Sequence, residues 1–314
     1  MSLPRLSLIL ASPRGFCAGV ARAVEIVESA LVRHGAPIYV RHEIVHNRFV
    51  VERLKQRGAV FVDDLDQVPE GAVIVFSAHG VARSVVAEAA ARRLDALDAT
   101  CPLVTKVHLE AQRHARLGRR IILVGHAGHP EVEGTMGQLP PGQVVLVESV
   151  ADVEMLEADP GESLAFATQT TLSVDDTAAI VAALQARFPD IQGPQGDDIC
   201  YATTNRQNAV KAIAPRVDAL IVLGAPHSSN AGRLVEAARR AGCSRPLLLG
   251  RIDELDWQVL AGVERLGITA AASAPECLVD ELIEACRARY DISLEEISVT
   301  TEDVRFNLPR ALTA

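Results

Sequence analysis

The sequence predicts an α/β protein with mainly parallel sheets, built from three similar α/β domains in pseudo-threefold arrangement. Three observations carry that expectation. Short apolar runs alternate with amphipathic helical segments along all 314 residues, the pattern of parallel-sheet proteins. The apolar runs end in small, polar or histidine residues, at the carboxyl ends of strands where open α/β sheets usually bind ligands. Finally, the distance from a cysteine to the next polar strand end repeats: 29 residues from Cys17 to His46, 28 from Cys101 to His129 and 28 from Cys200 to Ser228. A second polar strand end follows in each segment, at His79, Thr170 and Ser273. Such internal periodicity defines the units, with boundaries expected at 1–100, 101–198 and 199–314, the last including a C-terminal tail.

Taken in order, "LSLILA" reads as the first strand and "ARAVEIVESALVRHG" as a helix. Val20, Val24, Val27 and Leu31 share one face of that helix, and Gly35 stops it. "PIYVRHE", "VIVFSAHG", "IILVGHAGHPE", "LAFATQTTLS" and "LIVLGAPHSSN" are too short for helices and read as strands delivering loops. In "TLSVDDTAAIVAALQARFP", Ser173 and Asp176 are spaced as a variant of the capping box. Leu278, Val279, Leu282 and Ile283 mark the buried face of a late helix that also carries Cys286, with Cys277 just ahead of it.

Bulk composition narrows the function. A formal charge of -9, a pI near 5.5 and 4% aromatic residues argue against nucleic acid as a partner. No stretch approaches eighteen uninterrupted apolar residues, and the N-terminal apolar segment is too short for a secretory signal, so the expectation is a cytoplasmic protein with no membrane partner. Six cysteines in that compartment are not a disulfide framework. Cys243, Cys277 and Cys286 read as structural or incidental. Cys17, Cys101 and Cys200 stand instead at junctions that look like helix entries, where thiolate is favoured.

Three thiolates from distant segments are one short of the usual structural zinc site, and no C-x-x-C pair is present. They suit a four-iron, four-sulfur cluster with three cysteine ligands and one open iron, the feature of a catalytic centre. "HEIVH" matches the H-E-x-x-H zinc pattern, but it follows a strand-like run, where the histidines would not lie one helical turn apart. His46, His79, His129, Ser228, Ser229, Asn230 and Ser273 are hydrogen-bonding residues at strand ends, and such a collection suits phosphate or diphosphate. Neither G-x-G-x-x-G after the first strand nor G-x-x-x-x-G-K-[ST] occurs, so electrons must arrive from outside the chain.

"PRGFCAGV", "YVRHEIVHN", "FSAHGV", "DATCPLVTKVH", "GHAGHPEVEGTMGQ", "TQTTLSVDDT", "DDICYATTNRQ" and "SAP" together resemble the 4-hydroxy-3-methylbut-2-enyl diphosphate reductase family of the non-mevalonate isoprenoid pathway. The likeness runs in order from Ser12 to the 270s. It implies three α/β domains around a central iron–sulfur cluster ligated by Cys17, Cys101 and Cys200. It also implies that His46, His79, His129, Thr170, Ser228, Ser229, Asn230 and Ser273 bind the substrate, with Glu131 delivering a proton and His129 and Thr170 assisting. The implied reaction is reductive removal of an allylic hydroxyl, giving isopentenyl and dimethylallyl diphosphate. The electron donor is then ferredoxin or flavodoxin with a reductase. Pro226 and His227 stand where the family commonly has a basic residue and asparagine, and Ala271 where glycine is usual. The competing readings are another three-cysteine cluster enzyme of the quinolinate synthase type and an anion-binding iron–sulfur sensor. The long motifs oppose the first, and Glu131 and Thr170 beside the anion donors oppose the second.

Overall fold

The structure is a computed structural model that describes residues 3–313. Its strands are β1 (Arg5–Ser12), β2 (Ile38–Arg41), β3 (Ala59–Val62), β4 (Val73–Phe76), β5 (Asp95–Asp98), β6 (Arg120–Val124), β7 (Val144–Val147), β8 (Leu164–Thr168), β9 (Ala219–Leu223), β10 (Pro246–Leu249), β11 (Arg265–Ala270) and β12 (Asp291–Ser298). Among the described residues every ladder between strands is parallel, and the strands form three sheets. The α/β class with parallel sheets is therefore as the sequence predicts. No helix of the described residues is long and apolar enough to cross a membrane.

The chain divides into two compact units. One contains the residues up to Val20, His46–Val50 and Tyr201–Arg305. Its five-stranded sheet has the order β10-β9-β11-β1-β12. β9, the run Ala-Leu-Ile-Val-Leu, is buried along its whole length, as a parallel strand covered on both faces must be. β12 closes one edge, with Glu295 and Glu296 exposed, and charge on an edge discourages further strand addition. The helices here are α8 (Tyr201–Ile213), α9 (Ser229–Arg240) and α10 (Cys277–Arg287). α10 buries Leu278, Val279, Leu282, Ile283 and Cys286, the predicted face. Cys277 is its first residue rather than lying ahead of it.

The other unit contains Ala21–Val45, Val51–Cys200 and the residues from Phe306 onward. It holds a four-stranded sheet, β3-β2-β4-β5, and a three-stranded sheet, β7-β6-β8. α1 (Ala18–His34), whose residues from Ala21 on lie in this unit, buries Val24, Val27 and Leu31 as predicted, whereas Val20 of the same predicted face is half-buried; it ends at Gly35, whose φ of 77° is the left-handed turn glycine adopts without strain. α4 (Pro102–Arg116), α5 (Pro130–Met136) and α7 (Val174–Arg187) follow strand ends. Ser173 caps α7 by accepting the Asp176 N–H at 3.2 Å, the expected cap. β8 is an edge strand yet fully buried, because Leu164 and Phe166 pack into one apolar cluster and Ala165 and Ala167 into another, while Gln192 bridges to Ala165 along its free side. His42–His46 forms no helix, and His42 itself has a φ of 60°. The geometry of a two-histidine zinc motif is therefore absent.

Candidate functional site

Each of Cys17, Cys101 and Cys200 immediately precedes the first residue of a helix, α1, α4 and α8 respectively. None of the six cysteines forms a disulfide, and these three are half-buried. Each also donates its backbone N–H to a carbonyl at a strand end. Cys17 reaches Ala272 O at 3.2 Å, Cys101 reaches Ala78 O at 3.0 Å, and Cys200 reaches Thr170 O at 3.1 Å. Those acceptors are Thr170 itself and the residues just before Ser273 and His79. The strand end bound is thus the one that precedes each cysteine in the chain, counting Ser273 as preceding Cys17.

The remaining cysteines differ in kind. Cys243 and Cys286 are packed into apolar cores, where burial raises both thiols, Cys286 up to about 11. Cys277 is exposed. At Cys17, by contrast, Sγ accepts the Val20 N–H at 3.5 Å, so the helix entry presents a donor to sulfur. Gly15, with a φ of 66°, turns the chain into this position.

Four predicted residues come together in the unit holding β4, β6 and β8. His129 is the N-cap of α5, and its Nδ1 accepts the Glu131 N–H at 3.1 Å. A neutral ring accepting at Nδ1 carries its proton on Nε2, which becomes a donor. The His79 ring meets the His129 ring edge to face, with centroids 5.7 Å apart. Glu131 is 2% exposed. The Thr170 N–H donates to its Oε1 at 2.6 Å and the Thr170 hydroxyl to its Oε2 at 3.0 Å. Burial pushes the Glu131 carboxyl up to about 7, with the Thr170 bonds opposing and the Asp198 charge adding to the rise.

The other predicted residues cluster in the unit holding β9 and β11. Ser228 caps α9, accepting the Ala231 N–H at 3.4 Å, and Ser229 is the helix's first residue. Asn230 Oδ1 accepts the Ala272 N–H at 2.9 Å, whereas its buried Nδ2 finds no acceptor among the described residues. An orphaned buried donor is costly unless a ligand satisfies it. The Ser273 hydroxyl donates to His46 O at 2.9 Å, and the His46 ring meets that of His227 edge to face at 5.2 Å. Pro226 and His227 are exposed. Ala271 is buried, facing the space left by Gly224, where an added Cβ would lie 2.9 Å from the Ala271 methyl.

Sequence reasoning missed Asp198. It is 5% exposed, accepts the Thr168 N–H at 3.0 Å and pairs with Lys106 at 3.4 Å, and burial pushes its carboxyl up to about 6. In "GDDIC" it looks like an ordinary loop acid, and only the strand it bonds marks it. Gln169 was missed likewise. Its Oε1 accepts the His126 N–H at 3.0 Å and its Nε2 donates to the Thr171 hydroxyl at 2.9 Å, joining the loops after β6 and β8.

Residues 8–287 match the model of the family described as LytB protein. A 4-hydroxy-3-methylbut-2-enyl diphosphate reductase of Paracoccus denitrificans is 61% identical, with 98% of each chain aligned. A relative of the same name from Methylocella silvestris is 56% identical over 98% of this chain and 97% of its own. Among solved structures, the E-1-hydroxy-2-methyl-but-2-enyl-4-diphosphate reductase of Plasmodium falciparum superposes with a TM-score of 0.92 at 38% identity, covering 100% of this chain and 98% of the other.

Proposed function

Because the chain belongs to the LytB family of 4-hydroxy-3-methylbut-2-enyl diphosphate reductases, we propose that Cys17, Cys101 and Cys200 ligate its iron–sulfur cluster while the polar strand ends bind and protonate the substrate. The reaction replaces an allylic C–O bond by C–H. Two electrons and two protons convert 4-hydroxy-3-methylbut-2-enyl diphosphate into isopentenyl or dimethylallyl diphosphate and water.

The residues present fit the cofactor. Three half-buried sulfurs at helix entries, with no nitrogen ligand required, are the donor set of an iron–sulfur centre. The buried, raised thiols of Cys243 and Cys286 are not. Cys17, Cys101 and Cys200 would hold a four-iron, four-sulfur cluster as its three cysteine ligands, leaving one iron open, and that group would supply electrons and Lewis-acid assistance. A cytoplasmic ferredoxin or flavodoxin with its reductase delivers those electrons.

The protein's own groups do the rest. Glu131, protonated below about pH 7, gives its proton to the departing hydroxyl oxygen, since hydroxide is a poor leaving group without protonation. Thr170 holds that carboxyl through two hydrogen bonds, one donated by its N–H and one by its hydroxyl, and these steady the carboxylate once the proton has left. His129 and His79 offer ring N–H donors to the substrate. His46, Ser228, Ser229, Asn230 and Ser273 bind the diphosphate, with the buried Asn230 amide as the donor most in need of an acceptor.

The observation that carries this reading is the recurrence of one local design at three cysteines: a helix entry, and a backbone bond to a polar strand end. Iron and sulfide analysis after anaerobic purification tests it. Serine at Cys17, Cys101 or Cys200 abolishes the visible cluster absorbance and the activity, whereas serine at Cys243, Cys277 or Cys286 leaves iron content normal. A normal iron content in Cys101→Ser removes the assignment.

A further inference from the structure

Each helix that begins after one of the three cysteines carries a cation five or six residues on, and that cation holds the backbone shortly before another of them. Arg22 of α1, five residues after Cys17, donates from Nη1 to Thr100 O at 3.0 Å, the residue before Cys101, and from Nε to Asn307 O at 2.8 Å. Lys106 of α4, five residues after Cys101, donates to Asp197 O at 3.0 Å and pairs with Asp198 at 3.4 Å, just ahead of Cys200. Arg206 of α8, six residues after Cys200, donates to Gly15 O at 3.0 Å and Phe16 O at 3.3 Å, just ahead of Cys17. In chain order the relation returns to its start: 17 to 101, 101 to 200, 200 to 17. The Arg22 and Lys106 bonds lie within one compact unit, and those of Arg206 within the other.

The bonds are of the charge-assisted kind, roughly twice as strong as neutral ones. Arg206 is fully buried, and its remaining donors go to Ala202 O at 3.0 Å and to Glu302, whose carboxylate also takes the Asn205 amide at 3.0 Å. A buried guanidinium gives little net stability. Its use on two successive carbonyls next to a cysteine accords with a need for position. Asp198 extends the second tether to β8 through the Thr168 N–H, so Lys106 links the helix after Cys101 to both the approach to Cys200 and the strand that leads to Thr170.

We propose that Arg22, Lys106 and Arg206 are positioning residues for the cluster ligands, each fixing the chain just before one of the three cysteines and so governing how tightly iron is retained. The proposal rests on the reading of Cys17, Cys101 and Cys200 as ligands. Outer-shell partners of this kind typically change metal retention by about ten- to a hundredfold.

The test follows iron transfer from anaerobically prepared holoenzyme to a ferrous chelator, bathophenanthroline disulfonate. Arg22→Met and Lys106→Met release iron roughly ten- to a hundredfold faster than wild type, with an unchanged far-UV circular dichroism spectrum. Lys106→Arg, which keeps a cationic donor, restores slow release. Arg216→Met, which removes an exposed ion pair to Glu295 elsewhere in the fold, releases iron at the wild-type rate. Unchanged release in both Arg22→Met and Lys106→Met overturns the proposal. So does acceleration shared by Arg216→Met or accompanied by loss of helical signal, because the contacts would then serve the fold in general. Cys101→Ser separates the two levels: if it retains iron, the ligand reading fails, and if it loses iron while the tether variants behave as wild type, only the tethers fail.

Discussion

Burial and hydrogen bonding pull the Glu131 carboxyl in opposite directions, and burial wins. The group is therefore half-protonated near neutrality, where a general acid works best. Glu131→Gln keeps the shape and loses the proton, so turnover falls about a hundredfold to ten-thousandfold while substrate affinity holds. Steady-state rates beside a binding titration check this. The same substitution has a signature in stability. An unfolded glutamate titrates near 4.5 and the folded one near 7, so below pH 4.5 both states are protonated and the variant gains nothing. Between 4.5 and 7 the unfolded chain ionises first, and the native state loses stability as pH rises. Above 7 the loss is constant, at about 3 kcal/mol. The stability difference between Glu131→Gln and wild type grows over that window in denaturant titrations. Asn230 makes the complementary case. Its unsatisfied Nδ2 predicts that Asn230→Ala weakens diphosphate binding by roughly tenfold to a hundredfold, measured by calorimetry on the holoenzyme. An unaltered dissociation constant puts the diphosphate elsewhere.

Elements were legible where chemistry changes abruptly along the chain. β4, β6, β8 and β9 are short apolar runs that stop at Ser77, Gly125, Gln169 and Gly224, and a change from apolar side chains to glycine or polar residues marks a strand end without reference to tertiary structure. Helix entries were legible for the same reason, through Ser173 and the cysteines. What stayed hidden were contacts decided by space rather than by residue type. Ala271 in place of glycine is such a case. A Cβ at Gly224 would lie 2.7 Å from the Ala231 methyl and 2.9 Å from that of Ala271, so the missing side chain at 224 makes room for the extra one at 271. Gly224→Ala then overpacks the loop entry and costs about 1–3 kcal/mol in equilibrium unfolding. Adding Ala271→Gly recovers part of it. Full additivity of the two changes would show that the positions do not share this space.

At the scale of the whole molecule, alternation announced parallel sheets but not which strand joins which. β1 pairs with β11 and β12, strands more than 250 residues away in sequence, and nothing local to "LSLILA" carries that information, because a parallel strand is buried alike in any sheet. The absence of a nucleotide fingerprint, a property of the entire sequence, was legible and has a consequence for electron supply. β1 is not followed by G-x-G-x-x-G: the turn there reads "SPRGFCAG" and contains Cys17. A pyrophosphate-binding turn needs glycines that let backbone close around phosphate, and in this turn a cysteine stands at the helix entry. Under the proposed function the electrons come from a separate carrier, ferredoxin or flavodoxin, in the small, transient kind of encounter typical of redox partners. In an anaerobic assay of the holoenzyme, NADPH alone gives no product. NADPH with a reductase and carrier, or dithionite with a mediator, gives isopentenyl and dimethylallyl diphosphate. Steady product from NADPH with nothing else added would place a nucleotide site in this chain and remove the need for the carrier.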